Sequence, residues 1–510
     1  MTQKISFYTK AALAIACPLA IVLAFPKANL TLLAFAALVP LFWLWSRSSW
    51  KSALWWGWLS GFIMCGLLFS WTTNSLGDEI GNFKYLTLVL FAGIEGFSVA
   101  IVAALVAVMA RGRFGAAMVF AAPAAWLIWE ALRTIGSVSM PFGQLGAIAP
   151  HLAWLLPMAA YAGVYGLTAI IVLANGALAG IVFGDGRARL AGGVVLAVLA
   201  VSIVAGDVAR SRVVLPAATT KVAIVQGNIS QRVKWSPAIF SQTIEVYSQL
   251  TRAAARSGAR VVIWPETAIT EFPVEKPELL AGLERLARET RTWILAGTLD
   301  SPAPGAMYNV VIDLTPFGGL GGIYQKHILV PFAEFLPLDW LFRKIPLRCG
   351  DVNCFERAST FSHGPGPGVL QAGDLKLGLL ICFESAYSSY ARATALAGAT
   401  TLLIVTDDAW FGTSAGPYMH ADMAVIDAVQ TGRWVIRGAD TGISQIIDPS
   451  GRIKGEIPLD TVGVLVGSVG EPVDTPYLRF GAGWLLGLAL VAIVCGFIGP
   501  KADAARAPSK

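Results

Sequence analysis

Long apolar stretches in the first 210 residues constrain the fold of this chain more than any other feature. A helix needs about 20 apolar residues to cross the hydrocarbon core of a bilayer. Stretches near that length occur at residues 11–25, 29–46, 53–71, 85–110, 115–132, 158–183, 189–206 and 481–499. Only 14% of the residues are charged, whereas a soluble enzyme has about 25%. The pattern therefore predicts a membrane domain with about seven transmembrane helices over residues 1–209, and one C-terminal helix within residues 476–510.

Basic residues between the apolar stretches predict the orientation of the chain. Lys and Arg are enriched in alternate connections, and such residues favour the cytoplasmic side of a membrane. The residues concerned are Lys4, Lys10, Arg47, Lys51, Arg111, Arg113, Arg187, Arg189, Lys501, Arg506 and Lys510. An odd number of crossings before residue 210 then predicts that residues 210–475 lie outside the cytoplasm. The net charge of +6 is spread out, and no basic run indicates a nucleic-acid partner.

Residues 210–475 have the pattern of a water-facing α/β domain. Short apolar runs at 221–229, 260–266 and 292–300 alternate with helical patterns at 237–257 and 277–290. Further strand-like runs occupy 307–316, 375–383, 400–408 and 434–440. Strands that alternate with helices are typical of layered α/β domains. The predicted fold is therefore a multi-span α-helical membrane domain joined to an extracytoplasmic α/β domain.

Reactive side chains follow three of the predicted strands. Glu266 ends VVIWPE, Lys326 and Glu334 lie in IYQKHILVPFAEF, and Cys382 and Glu384 end LLICFE. Sites in α/β sheets form at the carboxyl ends of strands. A carboxylate can deprotonate a thiol, a thiolate can attack a carbonyl, and an ammonium can stabilise the oxyanion. This set of residues predicts acyl transfer through a cysteine nucleophile.

The same residues could instead have purely structural roles. A free cysteine is often a buried packing residue, and Lys326 alone could be an exposed strand residue. A Cys–His pair that uses His420 is a second catalytic arrangement. The histidines lack metal-ligand spacing, so no metal and no other cofactor is expected. Cys349 and Cys354 share one loop, and a disulfide between them is an open alternative.

Three motifs carry a resemblance to a known superfamily. The stretches WPET (264–267), YQKHILVPFAEFLP (324–337) and ICFES (381–385) resemble the Glu–Lys–Cys signature of the nitrilase, or carbon-nitrogen hydrolase, superfamily. With the apolar spans, the whole chain resembles the bacterial apolipoprotein N-acyltransferase family. The resemblance implies an α-β-β-α sandwich for the α/β domain.

The resemblance also implies a role for each matching residue. It makes Glu266 the general base, Lys326 the oxyanion-stabilising cation and Cys382 the nucleophile. Glu334 and Glu384 match supporting acids near them. Three aromatic residues match positions at the substrate pocket: Trp235, linked to substrate access, Trp410, and Phe383, whose backbone N–H would help to bind the oxyanion.

Three positions depart from the family pattern. Phe383 stands where tyrosine often follows the cysteine, and Asp407 stands where asparagine is usual. Asp440-Thr441-Gly442 replaces a common Asn-Asn-Gly. None of these changes touches the Glu–Lys–Cys set, so they bear on the hydrogen bonding of the pocket and on substrate preference.

The resemblance further implies a reaction and a location. A phospholipid would donate an acyl chain to Cys382 in a two-step, ping-pong reaction, and a diacylated apolipoprotein would accept it on its α-amino group. The protein would span the bacterial inner membrane, in contact with membrane lipid, with its catalytic domain in the periplasm. The alternatives are a membrane-anchored nitrilase-type amidase or hydrolase that gives the acyl group to water, and a non-catalytic membrane scaffold.

Overall fold

Helices lie over the apolar stretches of the first 211 residues. The computed structural model describes residues 5–75, 83–342, 344, 348–349, 352–353 and 361–498. The longer helices of this part are Phe7–Ala24, Val39–Ser46, Trp50–Leu68, Phe83–Ala110, Met118–Leu132, Ala159–Phe183 and Gly186–Ser211. A further apolar helix, Gly483–Ile498, follows the α/β domain. The apolar stretches therefore mark helices, as the sequence predicts.

Within the described ranges, four helical segments are long and apolar enough to cross a membrane. They are Phe7–Ala24, Lys84–Ala110, Leu156–Phe183 and Gly186–Ser211. The predicted span 29–46 is instead divided into a 3₁₀ turn, Thr31–Phe35, and a short helix, Val39–Ser46. Pro40 lies in the first turn of that helix, where its missing N–H is tolerated.

Small residues bring two membrane-domain helices into close contact. A Cβ atom added at Gly61 of Trp50–Leu68 would lie 2.7 Å from the Val99 Cβ, and one added at Gly96 of Phe83–Ala110 would lie 2.7 Å from the Phe62 backbone nitrogen. Membrane helices that lack a large side chain at the interface can approach at backbone distance and gain dispersion energy. A Cβ atom added at Gly93, on the same helix as Gly96, would meet none of the described atoms within 4 Å.

The second part of the chain is built from strands in two large sheets and one small one. The described strands are β1 (Ala218–Gln226), β2 (Val261–Trp264), β3 (Trp293–Ala303), β4 (Ala306–Leu314), β5 (Leu320–Gln325), β6 (Arg348–Cys349), β7 (Val352–Asn353), β8 (Val369–Ala372), β9 (Leu375–Ile381), β10 (Thr401–Thr406), β11 (Trp434–Ala439), β12 (Ser444–Ile447), β13 (Ile453–Ile457) and β14 (Gly463–Gly470). One six-stranded sheet has the order β14-β1-β2-β3-β4-β5, and the other has the order β13-β12-β11-β10-β9-β8. Strands β1, β2 and β3 are parallel to one another in the first sheet, as are β9, β10 and β11 in the second. The remaining strands of both sheets pair antiparallel with their neighbours. The short strands β6 and β7 pair with each other.

The two sheets pack face to face between layers of helices. Ile224 of β1 and Ile263 of β2 share one buried cluster with Leu379 of β9 and Leu403 of β10. The helices Pro237–Arg256 and Pro277–Thr290 cover the outer face of the first sheet. Ser388–Leu396 and Gly416–Thr431 cover the second sheet, and the latter also packs against the membrane domain. The predicted α-β-β-α sandwich joined to a membrane-type helical domain is confirmed.

Aromatic residues join the membrane domain to the α/β domain. Phe142 precedes the helix Ala159–Phe183, and its ring centroid lies 6.2 Å from that of Phe383 and 5.7 Å from that of His420. The Trp71 ring meets Phe411 edge to face, at 4.8 Å. These contacts fix the segment after β9 against the membrane domain.

We expect Gly96→Ala to destabilise the membrane domain, because the new methyl group meets the backbone of the facing helix. Overpacking of this kind costs about 1–3 kcal/mol. Gly93→Ala is the matched control, since its methyl group meets open space and alanine favours the helix. Thermal unfolding in detergent measures both variants. Equal melting temperatures for the two would contradict the close helix contact.

Candidate active site

The three predicted catalytic residues converge from the ends of three strands. Glu266 follows β2 by two residues, whereas Lys326 comes directly after β5 and Cys382 directly after β9. The first two residues belong to one sheet and Cys382 to the other. Because the sheets pack face to face, the ends of these strands meet, and the Cys382 thiol comes within electrostatic range of both Glu266 and Lys326.

The ammonium group of Lys326 lies between two carboxylates. Its Nζ is 3.3 Å from Oε1 of Glu266 and 2.8 Å from Oε1 of Glu334. The amide of Asn309 donates to Oε1 of Glu266 at 2.7 Å. Lys326 and Glu266 are buried, whereas Cys382 is only partly buried. Of the three predicted catalytic residues, Cys382 is therefore the most exposed.

The pKa values of the lysine and the thiol follow from this arrangement. Burial favours the neutral amine, but the carboxylates of Glu334 and Glu266 together raise the pKa of Lys326 above its usual value. Burial, and then the Glu266 carboxylate, raise the pKa of the Cys382 thiol, and Lys326 opposes them. The site therefore pairs a permanent ammonium with a protonated thiol beside a carboxylate that can accept its proton.

Cys382 occupies an unusual backbone conformation. Its φ angle is +51°, in the left-handed region that side chains other than glycine rarely adopt. The residue lies where β9 changes into the 3₁₀ turn Cys382–Ala386. Strained residues of this kind persist where the surrounding structure holds them, and they cluster at functional sites.

Glu384 braces the backbone around both Lys326 and Cys382. Its Oε1 accepts the N–H groups of His327 (2.7 Å) and Ile328 (3.0 Å). Its Oε2 accepts the N–H of Ile381 at 2.7 Å. The hydroxyl of Tyr324 donates to the same oxygen at 2.9 Å. Burial raises the pKa of Glu384, and these backbone donors oppose the rise.

Glu334 has a direct contact to the lysine. Besides binding Lys326, it accepts the backbone N–H of Val330 through Oε2 at 2.8 Å. The loop after β5 is thereby closed on itself around the ammonium group. Glu334 therefore supports the site through the lysine side chain, whereas Glu384 supports it through the backbone.

His420 lies behind the cysteine. Its Nε2 is 3.1 Å from the carbonyl oxygen of Cys382 and 2.8 Å from Oγ of Ser385. Its Nδ1 is 3.0 Å from Oδ1 of Asp408, whose other oxygen accepts a bond from Arg437 at 2.8 Å. Burial would raise the pKa of Asp408, but Arg437 and His420 outweigh it and hold that pKa well below its usual range. The imidazole therefore contacts the backbone of Cys382.

The predicted aromatic residues occupy different positions. Trp235 follows the short helix Gln231–Lys234 and is 47% exposed. Trp410 is 39% exposed, in the 3₁₀ turn Asp408–Phe411. Phe383 is buried between Phe142 and Tyr387. A disulfide between Cys349 and Cys354 stays an open alternative, because Cys354 lies outside the described residues.

Sequence reasoning missed two polar residues of the site. Asn309 binds Glu266 and lies in the predicted strand 307–316, where no pattern marks it as a site residue. Lys234 donates to the Glu266 carbonyl oxygen at 3.2 Å. It precedes Trp235 in a helical turn, and no sequence pattern marks it as buried.

Comparisons with known proteins agree with the two-part architecture. Residues 19–177 match the apolipoprotein N-acyltransferase N-terminal domain, and residues 221–471 match the carbon-nitrogen hydrolase family. An amidase from Nesterenkonia sp. AN1 is a solved structure with 18% identity and a TM-score of 0.40, over 54% of this chain and 97% of that one.

Curated relatives match nearly the whole chain. An apolipoprotein N-acyltransferase from Geobacter metallireducens is 31% identical over 478 residues, which are 90% of this chain and 89% of that protein. One from Photobacterium profundum is 30% identical over 97% of each chain, and one from Pseudomonas aeruginosa is 32% identical over 88% of each. This chain, with its membrane-type helices and its carbon-nitrogen hydrolase domain, belongs to the apolipoprotein N-acyltransferase family.

Proposed function

We propose that this protein moves an acyl chain from a membrane phospholipid to the α-amino group of the diacylglyceryl-cysteine at the N-terminus of lipoproteins, through a thioester on Cys382. The observation that carries the proposal is the ion pair of Glu266 and Lys326 within electrostatic range of the Cys382 thiol. Family membership supports the choice of lipid substrates. The membrane helices support it further, because both substrates reside in a bilayer.

The first half-reaction loads the cysteine. Glu266 takes the proton of Cys382, and the thiolate attacks the carbonyl carbon of a phospholipid ester. Lys326 stabilises the oxyanion, together with the N–H of Phe383; loss of one such donor typically costs about 10² to 10³ in rate. The ester C–O bond then breaks, and the lysophospholipid oxygen leaves with the proton from Glu266. A C–S bond has replaced the C–O bond.

The second half-reaction unloads the cysteine. The α-amino group of the lipoprotein attacks the thioester carbon, and Glu266 accepts a proton from the nitrogen. The C–S bond breaks as the amide C–N bond forms, and the proton on Glu266 returns to the Cys382 thiolate. Glu334 and Asn309 keep Lys326 and Glu266 in place in both steps. Trp235 and Trp410, which are exposed, line the route by which the two lipid substrates exchange.

We further propose a membrane placement for these parts. About seven helical segments within residues 1–209 and one within residues 476–510 cross the inner membrane. Residues 210–475, the catalytic domain, then lie in the periplasm. The basic residues of the alternate connections support this orientation, because they favour the cytoplasmic side.

We expect wild-type protein in detergent to gain the mass of one acyl chain when it is incubated with phospholipid. Cys382→Ala should gain none, because no thiolate is present to form the thioester. Cys495→Ala is the matched control and should load at the wild-type rate, since Cys495 lies exposed in the helix Gly483–Ile498. Intact-protein mass spectrometry measures all three proteins.

Addition of a diacylglyceryl lipopeptide to the loaded protein tests the acceptor. We expect the acyl mass to move to the peptide amine within one turnover. Release of the acyl group only by hydrolysis, as a free fatty acid, would instead indicate a hydrolase. A wild-type protein that never loads, under conditions in which it remains folded, would contradict the thioester and leave the scaffold interpretation.

We expect Glu266→Gln to change the reactivity of Cys382 in two opposite directions. Acyl loading should fall at least about 10²-fold, since no base remains. Alkylation by iodoacetamide at pH ~8 should become faster, because the carboxylate that raises the thiol pKa has gone. Peptide mapping of alkylated Cys382 measures this rate, with the exposed Glu278→Gln as control. Slower alkylation in Glu266→Gln would contradict the electrostatic role given to Glu266.

A further inference from the structure

Lys234 lies in a second group of buried charges behind Glu266. Its side chain is buried, and its Nζ is 2.5 Å from Oδ2 of Asp407. The same Nζ is in ion-pair contact with Oδ2 of Asp440 at 3.0 Å, although outside hydrogen-bond geometry. The hydroxyl of Tyr247 donates to Oδ1 of Asp440 at 2.8 Å. We name Lys234, Asp407 and Asp440 the lysine–aspartate cluster. With both acids ionised, the net charge of this cluster is −1.

This cluster holds Glu266 at two points. The ammonium group of Lys234 donates to the carbonyl oxygen of Glu266 at 3.2 Å. The backbone N–H of Asp407 donates to Oε2 of the Glu266 carboxylate at 2.8 Å. Since Lys326 and Asn309 both bind Oε1, the cluster supplies the contact that fixes the opposite oxygen. The rotation of the Glu266 carboxylate about its Cγ–Cδ bond is therefore set from both sides.

The cluster also anchors the segment that carries Trp235. Asp440 accepts the N–H of Asn228 on its carbonyl oxygen at 3.0 Å, and the N–H of Ile229 on its carboxylate at 3.2 Å. Trp235 follows Lys234 directly and is exposed. One buried cation thus joins the segment 228–235 to the backbone of Glu266.

Both acids of the cluster contact the same buried cation. Asp407 comes directly after β10 and Asp440 directly after β11, and the two carboxylates meet at the ammonium group of Lys234. Burial would favour the neutral amine, but Asp407 and Asp440 raise the pKa of Lys234 above its usual value. The two acids therefore keep the buried amine of Lys234 charged.

We propose that Lys234 is a positioning residue, which orients the Glu266 carboxylate toward Cys382 and couples the Trp235 segment to that orientation by pairing with Asp407 and Asp440. The inference rests on the proposed role of Glu266 as the base. It predicts that the charge balance of the cluster, and not only its packing, sets the rate at which Cys382 is loaded.

The first variant, Lys234→Met, keeps the length of the side chain and removes its charge. Asp407 and Asp440 then face each other without a cation between them, and Asp407 moves with the N–H that holds Glu266. We expect loading of Cys382 from phospholipid to slow by about 10²-fold, the size of effect that follows a misplacement of ~1 Å at a catalytic group. Single-turnover mass spectrometry of the full-length protein measures the rate.

The double variant Lys234→Met with Asp407→Asn restores the original charge balance of the cluster. Asparagine at position 407 removes one of the two negative charges, and the backbone N–H to Glu266 is unchanged. We expect loading at least about tenfold faster than in Lys234→Met, a rescue that a packing role alone would not produce. The control is Asp313→Asn, a buried acid of β4 that lies four residues, or ~13 Å, along the strand from Asn309; it should load at the wild-type rate.

The loading rates distinguish the proposed thioester mechanism from the proposed positioning role of Lys234. Wild-type protein that does not load overturns the thioester mechanism itself. Wild-type protein that loads, with Lys234→Met equally fast or the double variant no faster than Lys234→Met, overturns only the positioning role. If Lys234→Met does not fold, Asp440→Asn takes its place, because asparagine keeps the Oδ1 acceptor for Tyr247 and changes the net charge of the cluster from −1 to zero. We expect slower loading of Cys382 in Asp440→Asn, and loading at the wild-type rate would overturn the proposal that the charge balance of the cluster sets this rate.

Discussion

The ammonium group of Lys326 is held between the carboxylates of Glu266 and Glu334, in a region that is largely closed to water. A buried carboxylate without a partner costs several kcal/mol, and a single lysine beside two carboxylates lowers that cost for both. Glu266 arrives from β2, and Glu334 arrives from the loop after β5, so the ion pairs hold two parts of one sheet together. The same contacts leave the lysine charged and directed at the pocket. Stability of the strand ends and the chemistry of the site thus depend on one charge.

Glu384 is a second buried acid, and hydrogen bonds rather than an ion pair stabilise it. It meets no ammonium group at hydrogen-bond distance among the described residues, and instead accepts three backbone N–H groups and one hydroxyl. Two of those N–H groups belong to the loop that follows Lys326, and one belongs to Ile381, directly before Cys382. The acid therefore fixes the distance between the lysine loop and the cysteine turn. The left-handed φ of Cys382 persists because Glu384 on one side and His420 on the other hold this turn.

The sequence predicts the fold well where apolar runs are long or strictly bounded. The helix Pro277–Thr290 ends where its pattern ends, and β2, β9, β10 and β11 lie within the predicted runs. Edge strands such as β5, β8 and β13 are short and half-exposed, so their apolar pattern is weak. The strand ends also predict which residues meet at the site. Lys234 and Asn309 could not be predicted, because their partners are distant in sequence and one of them is a backbone carbonyl group.

The ring of Phe142 connects the membrane domain to Phe383, the residue directly after Cys382. This contact and the one between Phe142 and His420 limit the movement of Cys382 relative to the helices of the membrane domain. A lipid, by contrast, carries each of its carbonyl groups at a characteristic level along the bilayer normal. In the proposed reaction, the aromatic contact between the two parts would hold Cys382 at one depth in the bilayer, so that the ester carbonyl groups at that depth are the ones within its reach.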